Sequence, residues 1–165
     1  MRVTLAAMNE SDAELRVRLE TDPVVMRYLG GPREADDIRR VHASSIVEAK
    51  RGECWACKVM IDESDQPAGT IALFPSTHHG EPIYEVGWII DPAWQGRGVV
   101  SIALQTLLDR ARRARRFDVL HAFPAVDNIA SNRLCRKSGF ELMGDELLPW
   151  AGRELHCNHW QLQLR

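Results

Sequence analysis

Hydrophobic residues recur along the chain with two spacings, and each spacing predicts one kind of element. Stretches in which apolar and polar residues alternate predict strands, and apolar residues three and four positions apart predict amphipathic helices. Glycines and turn formers divide these stretches from one another. The predicted elements are a strand at 2–6, helices at 11–22 and 34–51, strands at 54–61, 68–74 and 83–90, a helix at 98–116, a strand at 119–123, a helix at 129–138, and strands at 140–144 and 155–164.

Several of these elements have predictable ends and core faces. Ser11 and Glu14 have the spacing of a capping box, so the first helix is predicted to begin at Ser11. Residues 75–82 are mostly polar or turn-forming, which predicts a loop between two strands. The inward face of the second helix is predicted to consist of Ile38, Val41, Ile46 and Ala49. That of the third helix is predicted to consist of Val100, Ala103, Leu104, Leu107, Leu108, Ala111 and Ala114.

The element order βααβββαβαββ predicts a mixed α/β (α+β) fold. We expect one domain over residues 1–165, built on a single, mostly antiparallel central sheet that is flanked by helices. A chain of this length buries roughly two-thirds of its unfolded surface in one core.

The charge balance narrows the classes of partner. The chain has 21 Lys+Arg and 23 Asp+Glu, a net charge of −2, which argues against a protein that coats nucleic acids. Five arginines fall within residues 110–116, and we interpret them as the exposed end of a helix, where cations are favoured. No run approaches the ~20 apolar residues of a membrane span, and the N-terminus turns acidic too early for a secretory signal. We therefore expect a cytoplasmic protein without a membrane or nucleic-acid partner.

The sulfur and imidazole residues give no clear metal motif. The four cysteines are Cys54, Cys57, Cys135 and Cys157. Cys54 and Cys57 have CxxC spacing, but they fall in a predicted strand, where residues three apart face opposite sides. The same alternation separates His156 from Cys157 and His159. We therefore expect reduced, buried thiols and no metal.

The most informative stretch, residues 88–101, joins a predicted strand to the third helix. Its glycines allow backbone N–H groups to turn toward a ligand, and a helix N-terminus adds unpaired donors and a positive dipole end. These are the features of an anion site, and a pyrophosphate fits them. The spacing is neither GxGxxG nor GxxxxGK[ST], so a Rossmann or P-loop site is not indicated.

Two motifs together resemble the GNAT superfamily of acyl-CoA-dependent N-acetyltransferases. Gln95-Gly96-Arg97-Gly98-Val99-Val100 resembles the Q/R-x-x-G-x-G/A pyrophosphate loop of that family. Asn128-x-x-Ser131, continuing to Lys137-x-Gly139-Phe140, is similar to a later helix of the family. The resemblance covers the whole chain. Tyr84-Glu85-Val86-Gly87-Trp88 is most similar to the branch that contains ribosomal-protein alanine N-acetyltransferases.

The resemblance implies an acyltransferase that uses acetyl-CoA as co-substrate and acetylates a primary amine by direct attack. It implies coenzyme binding by Trp88, Ile89, Ile90, Gln95, Gly96, Arg97, Gly98, Val99, Val100, Ser101, Asn128, Ser131 and Lys137. Val100 departs from the family pattern of Gly or Ala, and we expect its side chain to point into the core. The departure keeps open an alternative, an acyl-CoA-binding sensor without turnover.

The implied reaction needs a base for the amine and an acid for the leaving thiolate. Glu85 is the predicted base, the alternative being a solvated cross-strand charge partner. Cys135 takes the position of a tyrosine found in many family members and is the candidate acid, the alternative being a small packed residue. A backbone N–H of the strand that carries Glu85 is expected to polarise the carbonyl.

The acceptor amine is expected to bind opposite the coenzyme, between segments 21–32 and 75–82 and Trp150. The predicted acceptor-binding residues are Tyr28, His78, His79 and Trp150. Each histidine is alternatively a solvated loop residue. Both a protein N-terminus and a small-molecule amine satisfy this prediction. A homodimer is implied by the resemblance alone.

Overall fold

The computed structural model describes residues 1–165, and its elements follow the predicted order. The strands are β1 (Val3–Ala7), β2 (Trp55–Ile61), β3 (Gly69–His78), β4 (Glu81–Ile90), β5 (Val119–Ala122), β6 (Glu141–Trp150) and β7 (Arg153–Gln163). The helices are α1 (Ala13–Glu20), α2 (Ala35–Lys50), α3 (Val99–Ala114) and α4 (Ile129–Lys137). Short 3₁₀ turns, Glu10–Asp12 and Pro92–Trp94, precede α1 and α3.

The seven strands form one sheet in the order β1-β2-β3-β4-β5-β7-β6. Every neighbouring pair is antiparallel except β4 and β5, which are parallel. The predicted mixed α/β fold with a mostly antiparallel sheet is confirmed. None of the helices combines the length and the apolar character that crossing a bilayer requires.

The two faces of the sheet carry different helices. Residues of α3 and α4 share a core of 23 buried residues with alternate residues of the strands. The opposite face carries α1 and α2. There Lys58 of β2, which alternates with the buried Cys57 and Val59, reaches the Asp12 carboxylate at 2.7 Å. The polar residues of the candidate site lie on this second face of the sheet.

Two helical predictions need correction. Asn9 rather than Ser11 is the N-cap. The Asn9 side chain accepts a hydrogen bond from the Ser11 N–H, and the Asp12 carboxylate accepts one from the Asn9 N–H at 2.9 Å. This capping box opens the 3₁₀ turn, so α1 begins two residues later than predicted. On α2, Val41 is 42% exposed, and His42 takes the inward position instead. His42 lies four residues from both Ile38 and Ile46, which makes one straight stripe along the helix.

The ends of α3 also differ from its predicted core face. Ala103, Leu104, Leu107, Leu108 and Ala111 are buried as predicted. Ala114 is exposed because α3 leaves the core after Ala111, and Val99 is buried at the start.

The predicted loop at 75–82 is wrong. β3 and β4 pair through to His78↔Glu81, and a two-residue turn joins them. His79 (φ 51°) and Gly80 (φ 81°) both have the left-handed backbone that such tight hairpin turns require. Pro75 is tolerated in β3 because the pairing with β2 stops at Leu73. The hairpin thus projects past the end of β2.

Candidate active site

β4 and β5 run side by side for only a short distance. Their recorded parallel pair is Glu85 with His121. β5 ends at Ala122, one residue further, whereas β4 continues to Ile90. The edge of β4 that faces away from β3 therefore has no strand partner along residues 86–90. Three residues that the resemblance implies for coenzyme binding, Trp88, Ile89 and Ile90, lie on the open edge of this gap.

The start of α3 lies at the end of that open edge. Gly96 (φ 71°) and Gly98 (φ 80°) adopt left-handed backbone, and the Gln95 side chain donates to the Ile90 carbonyl at 2.9 Å. None of the six backbone N–H groups from 96 to 101 donates to a backbone carbonyl. Val100 packs against the core, as predicted, and so leaves these donors uncovered.

The N-terminus of α4 closes the other side of the gap. The indole N–H of Trp88 donates to the Ser131 hydroxyl at 3.2 Å, which ties β4 to α4. The Asn128 side chain accepts from the Ser131 N–H at 3.1 Å, so its oxygen caps the helix. Lys137 is exposed at the opposite end of α4, away from this gap. It is the one predicted coenzyme-binding residue that the fold sets apart from the others.

A cluster of imidazoles and carboxylates occupies the opposite face of the sheet at the same point. His121 Nδ1 and His159 Nε2 lie 2.9 Å apart, and both residues are buried. His78 packs edge-on against His159, with ring centroids 4.5 Å apart. The Glu85 carboxyl is half-buried on the strand between β3 and β5, on the same face as His78 and His121. Five titratable side chains therefore come together on this face: Glu85, His78, His121, His159 and Glu146.

Glu146 reaches this face because of an irregularity in β6. The pairing of β6 with β7 shifts between Leu142 and Gly144, which makes Met143 an extra residue. Beyond the shift Glu146 lies opposite Cys157. Because side chains alternate along a strand, the extra residue moves Glu146 onto the face that carries His159. Its carboxylate then contacts His78 Nε2 at 2.5 Å and His79 Nε2 at 2.9 Å.

Burial sets the protonation of this cluster. Burial raises the pKa of Glu85, although the Ser76 hydroxyl and the charge of His78 act in the opposite direction. Burial lowers the pKa of His159 to about 4, helped by the charges of His78 and His121, and lowers the pKa of His121 as well. His121 and His159 are therefore neutral at pH 7.

Glu146 stays ionised for a different reason. Burial alone would raise its pKa, but the hydrogen bond from His78 and the charges of the surrounding histidines outweigh burial and lower it. Burial, followed by the charges of Glu85 and Glu146, raises the pKa of the Cys157 thiol to about 11. Cys157 is therefore a neutral wall residue of the cluster.

The cluster opens into a cleft of about 330 Å³. Its lining residues are His78, His79, Met143, Gly144, Asp145, Glu146 and His159. Asp145 at its rim contacts His156 Nε2 at 2.5 Å. Each rim carboxylate is thus already paired with histidine.

The remaining predicted acceptor residues lie at different distances from this cleft. Trp150 stands beside the segment that joins α1 to α2, and a Cβ at Gly30 would lie 3.9 Å from its ring. Arg153 donates to the Gly30 carbonyl and holds the same two segments together. Tyr28 is half-buried under the Arg27 guanidinium, 4.9 Å from its ring centre. No contact joins Tyr28 to the histidine cluster.

Cys135 does not reach the cleft. It is fully buried in the core shared by α3 and α4, and burial raises the pKa of its thiol to about 12. The structure favours the packing role over the role of a general acid. All four cysteines are free and buried.

The sequence analysis did not identify His121 or Glu146 as site residues, and it considered His159 only as a metal ligand. The available signal was that Cys157 and His159 share one face of a strand, opposite to His156, which the structure confirms. Their partners on β5 and β6 come together only through the sheet order and the shift at Met143.

Comparison with known proteins agrees with this geometry. Residues 2–141 match the family model described as the acetyltransferase (GNAT) domain. The chain belongs to the GNAT acetyltransferase family. The family, the fold and the acyltransferase activity that the sequence predicted are confirmed.

Two curated relatives of this GNAT protein are bacterial. An uncharacterized N-acetyltransferase of Bacillus subtilis is 29% identical over 127 residues, covering 75% of this chain and 70% of that protein. The ribosomal-protein-serine acetyltransferase of Escherichia coli is 31% identical over 115 residues, covering 66% of this chain and 59% of that protein. The second relative supports the predicted ribosomal-protein branch.

Solved structures share the whole GNAT fold. An acetyltransferase of Salmonella typhimurium, described as modifying the N-terminal serine of a 50S ribosomal subunit protein, superposes with a TM-score of 0.79 at 20% identity. That match covers 98% of this chain and 94% of the other. The spermidine N-acetyltransferase of Vibrio cholerae, in complex with CoA and spermine, also gives 0.79, at 17% identity over 98% and 95% of the two chains.

Proposed function

We propose that this GNAT protein transfers the acetyl group of acetyl-CoA to the N-terminal α-amine of a protein or peptide. The observation that carries the proposal is the row of six unpaired amides at the start of α3, placed at the end of the open edge of β4. The histidine and glutamate cluster then lies at the inner end of the same gap, on the other face of the sheet.

The residues present fit the coenzyme. The amides of residues 96–101 and the N-terminal end of the α3 dipole would hold the pyrophosphate. A Cβ at Gly96 or Gly98 would meet nothing within 4 Å, so the space above the loop is open to a ligand. The free main-chain edge at 86–90 would hold the pantetheine arm. Acetyl-CoA supplies an activated acetyl group as its thioester.

The sensor alternative loses one of its two grounds. It rested on Val100, whose side chain was a potential obstacle in the pyrophosphate loop, and on the missing tyrosine. Val100 packs against the core instead. Nothing in the site favours binding without turnover.

Glu85 is the proposed base for the acceptor amine. It lies where β4 and β5 part, and its raised pKa brings it closer to that of the group it must deprotonate. His121, its partner across the strands, is neutral and hydrogen-bonded to His159, which lines the cleft, so the proton that Glu85 takes leaves to the solvent of the cleft. With Cys135 in the core, water protonates the leaving thiolate.

The charge of the cleft favours an α-amine over a polyamine. The carboxylates at the rim of the cleft, Asp145 and Glu146, are both engaged by histidines, so neither is free to pair with a second ammonium group of a polyamine. A peptide α-amine has a pKa near 8, so a sizeable fraction is already neutral at pH 7. A base of moderate strength such as Glu85 is sufficient for that substrate.

Two broader proposals accompany this one. The four free cysteines support a reducing, cytoplasmic location. The exposed apolar residues of the edge strand β6, Leu142, Met143 and Leu147, support the homodimer that the resemblance implies. Sedimentation of the purified chain tests the second of these.

The test is an acceptor screen with acetyl-CoA, in which N-terminal peptides are compared with spermidine at equal concentration. Thiol release reports turnover, and mass spectrometry locates the acetyl group. We expect the peptides to be acetylated at the α-amine with kcat/KM at least 10-fold above that for spermidine. Faster acetylation of spermidine would overturn the acceptor proposal, and no calorimetric binding of acetyl-CoA would overturn the coenzyme site itself.

A further inference from the structure

The mouth of the cleft holds three side chains whose ligand atoms converge. One imidazole nitrogen each of His78 and His79 and a carboxylate oxygen of Glu146 all lie within 4.8 Å of one another. The three residues come from the tip of the β3–β4 hairpin and from β6, which are distant in sequence. Their solvent exposure is graded: 14% for the His78 side chain, 22% for Glu146 and 73% for His79.

An unusual backbone makes this convergence possible. Adjacent residues of a strand point to opposite faces, so His78 and His79 would normally diverge. His79 has a φ of 51°, a conformation that is uncommon for a residue with a side chain. As a result, both imidazoles lie on the side of Glu146, with ring centroids 4.1 Å apart.

We propose that His78, His79 and Glu146 form a binding site for a divalent transition-metal cation of the Zn²⁺ class. Two imidazoles and one carboxylate are a ligand set that zinc uses when a fourth position stays open. Zn²⁺ bonds of about 2.0–2.1 Å place the ligand atoms about 3.4 Å apart. The imidazole nitrogens of His78 and His79 contact the Glu146 carboxylate at 2.5 Å and 2.9 Å, so each must draw back by less than about 1 Å to admit the ion. His79 has the freedom to make this movement because it is largely exposed.

The donor chemistry also selects among cations. Imidazole nitrogen suits zinc, copper, nickel and cobalt, whereas Mg²⁺ and Ca²⁺ require sets of oxygen ligands. The four cysteines are buried, so they do not offer a competing thiolate site on the surface. The exposed His156–Asp145 pair on the neighbouring stretch has only one imidazole and serves as the matched comparison.

A metal here would act on the acceptor side of the enzyme, and this part rests on the proposed function. The three ligands line the cleft proposed for the amine. A neutral amine that coordinates the open position of the metal has its lone pair occupied. Zinc is therefore expected to inhibit acetyl transfer reversibly.

The direct test is isothermal titration of the chelator-treated protein with ZnCl₂, with MgCl₂ as the comparison cation. We expect one Zn²⁺ per chain and no heat from Mg²⁺. Titration with Co²⁺ is expected to give visible absorption bands of a low-coordinate site. His79→Asn should weaken zinc binding by about 100-fold or more, since even the loss of groups behind the ligands weakens metal sites by about 10–100-fold. Asparagine tolerates the left-handed backbone at this position, so the fold is retained.

Control variants separate this site from other zinc-binding groups. His156→Asn and Cys157→Ser should bind zinc as the wild type does, and Glu146→Gln should bind it weakly. Absence of zinc binding in the wild type, or equal binding by His79→Asn, overturns the proposal. Inhibition is measured as the ratio of rates with and without zinc, using the acetylated peptide as the signal because zinc binds free thiols. Zinc binding without inhibition would leave the metal site standing and contradict the placement of the acceptor.

Discussion

His159 gives the structure a stability that depends on pH in a defined direction. Burial lowers the pKa of His159 to about 4, whereas an unperturbed histidine titrates near 6.5. The unfolded chain therefore binds a proton here more readily than the folded chain does. The stabilisation is complete above pH 6.5 and is lost as the pH falls from 6.5 toward 4.

The size of this effect follows from the two pKa values. A displacement from 6.5 to about 4 corresponds to about 3 kcal/mol, of which about 2 kcal/mol is lost by pH 5. In the His159→Gln variant the side chain still meets His121 but does not titrate. We expect its free energy of unfolding to fall by about 2 kcal/mol less than that of the wild type between pH 7.5 and pH 5.

Urea unfolding followed by tryptophan fluorescence measures this difference, since Trp160 next to His159 is buried in the core. His156→Gln is the matched control, because His156 lies on the same strand but is exposed. It should lose stability as the wild type does. Parallel pH dependence in the wild type and in His159→Gln would refute the argument that a neutral, buried His159 stabilises the fold.

Three further predictions concern catalysis and coenzyme binding. Glu85→Gln is expected to lower kcat by about 10²–10⁴-fold while calorimetric binding of CoA stays unchanged. It should also abolish the fall in kcat/KM toward acid pH that a base with a raised pKa produces. Full activity of this variant at all pH values would rule Glu85 out as the base. Gly98→Ala should lower the free energy of unfolding by about 1–2 kcal/mol, measured by heat or urea, because the backbone φ of residue 98 is 80°. The same variant should bind CoA more weakly. Val100→Ala, whose side chain packs on the core, should bind CoA as the wild type does. Cys135→Ala should retain kcat within about 3-fold but lose about 1 kcal/mol of stability through the cavity it leaves; a large drop in kcat without loss of stability would restore its role as the acid.

The glycine loop and the α4 N-terminus, which we propose as the coenzyme site, were predictable as structural features because their signals are local. Gly96 and Gly98 have positive φ values in the short loop between the Pro92–Trp94 turn and the start of α3. Asn128 and Ser131 are three residues apart in the motif, and the Asn128 side chain accepts a hydrogen bond from the Ser131 N–H at the start of α4. Such motifs depend on neighbouring residues alone, so the sequence contains what is needed to place them.

The proposed acceptor side was less predictable because its residues meet through tertiary structure. Residues 75–82 lack hydrophobic alternation, since this end of the hairpin extends beyond β2 and packs on no core there. Its strands are held by main-chain hydrogen bonds, which leave no trace in the side-chain pattern. Glu146 depends on one extra residue at Met143, and a single-residue shift in register reverses every later side chain.

The projecting β3–β4 hairpin keeps the residues that we propose to recognise the amine apart from the residues that form the core. Its tip carries His78 and His79, which we propose as acceptor-binding residues, but adds little to the buried core, so we expect substitutions there to alter which amine is recognised at small cost to folding. The glycine loop at the start of α3 lies at the other end of β4 and is untouched by such changes. New acceptor preferences can therefore be selected, or engineered, by varying this hairpin on an unaltered acetyl-donor platform.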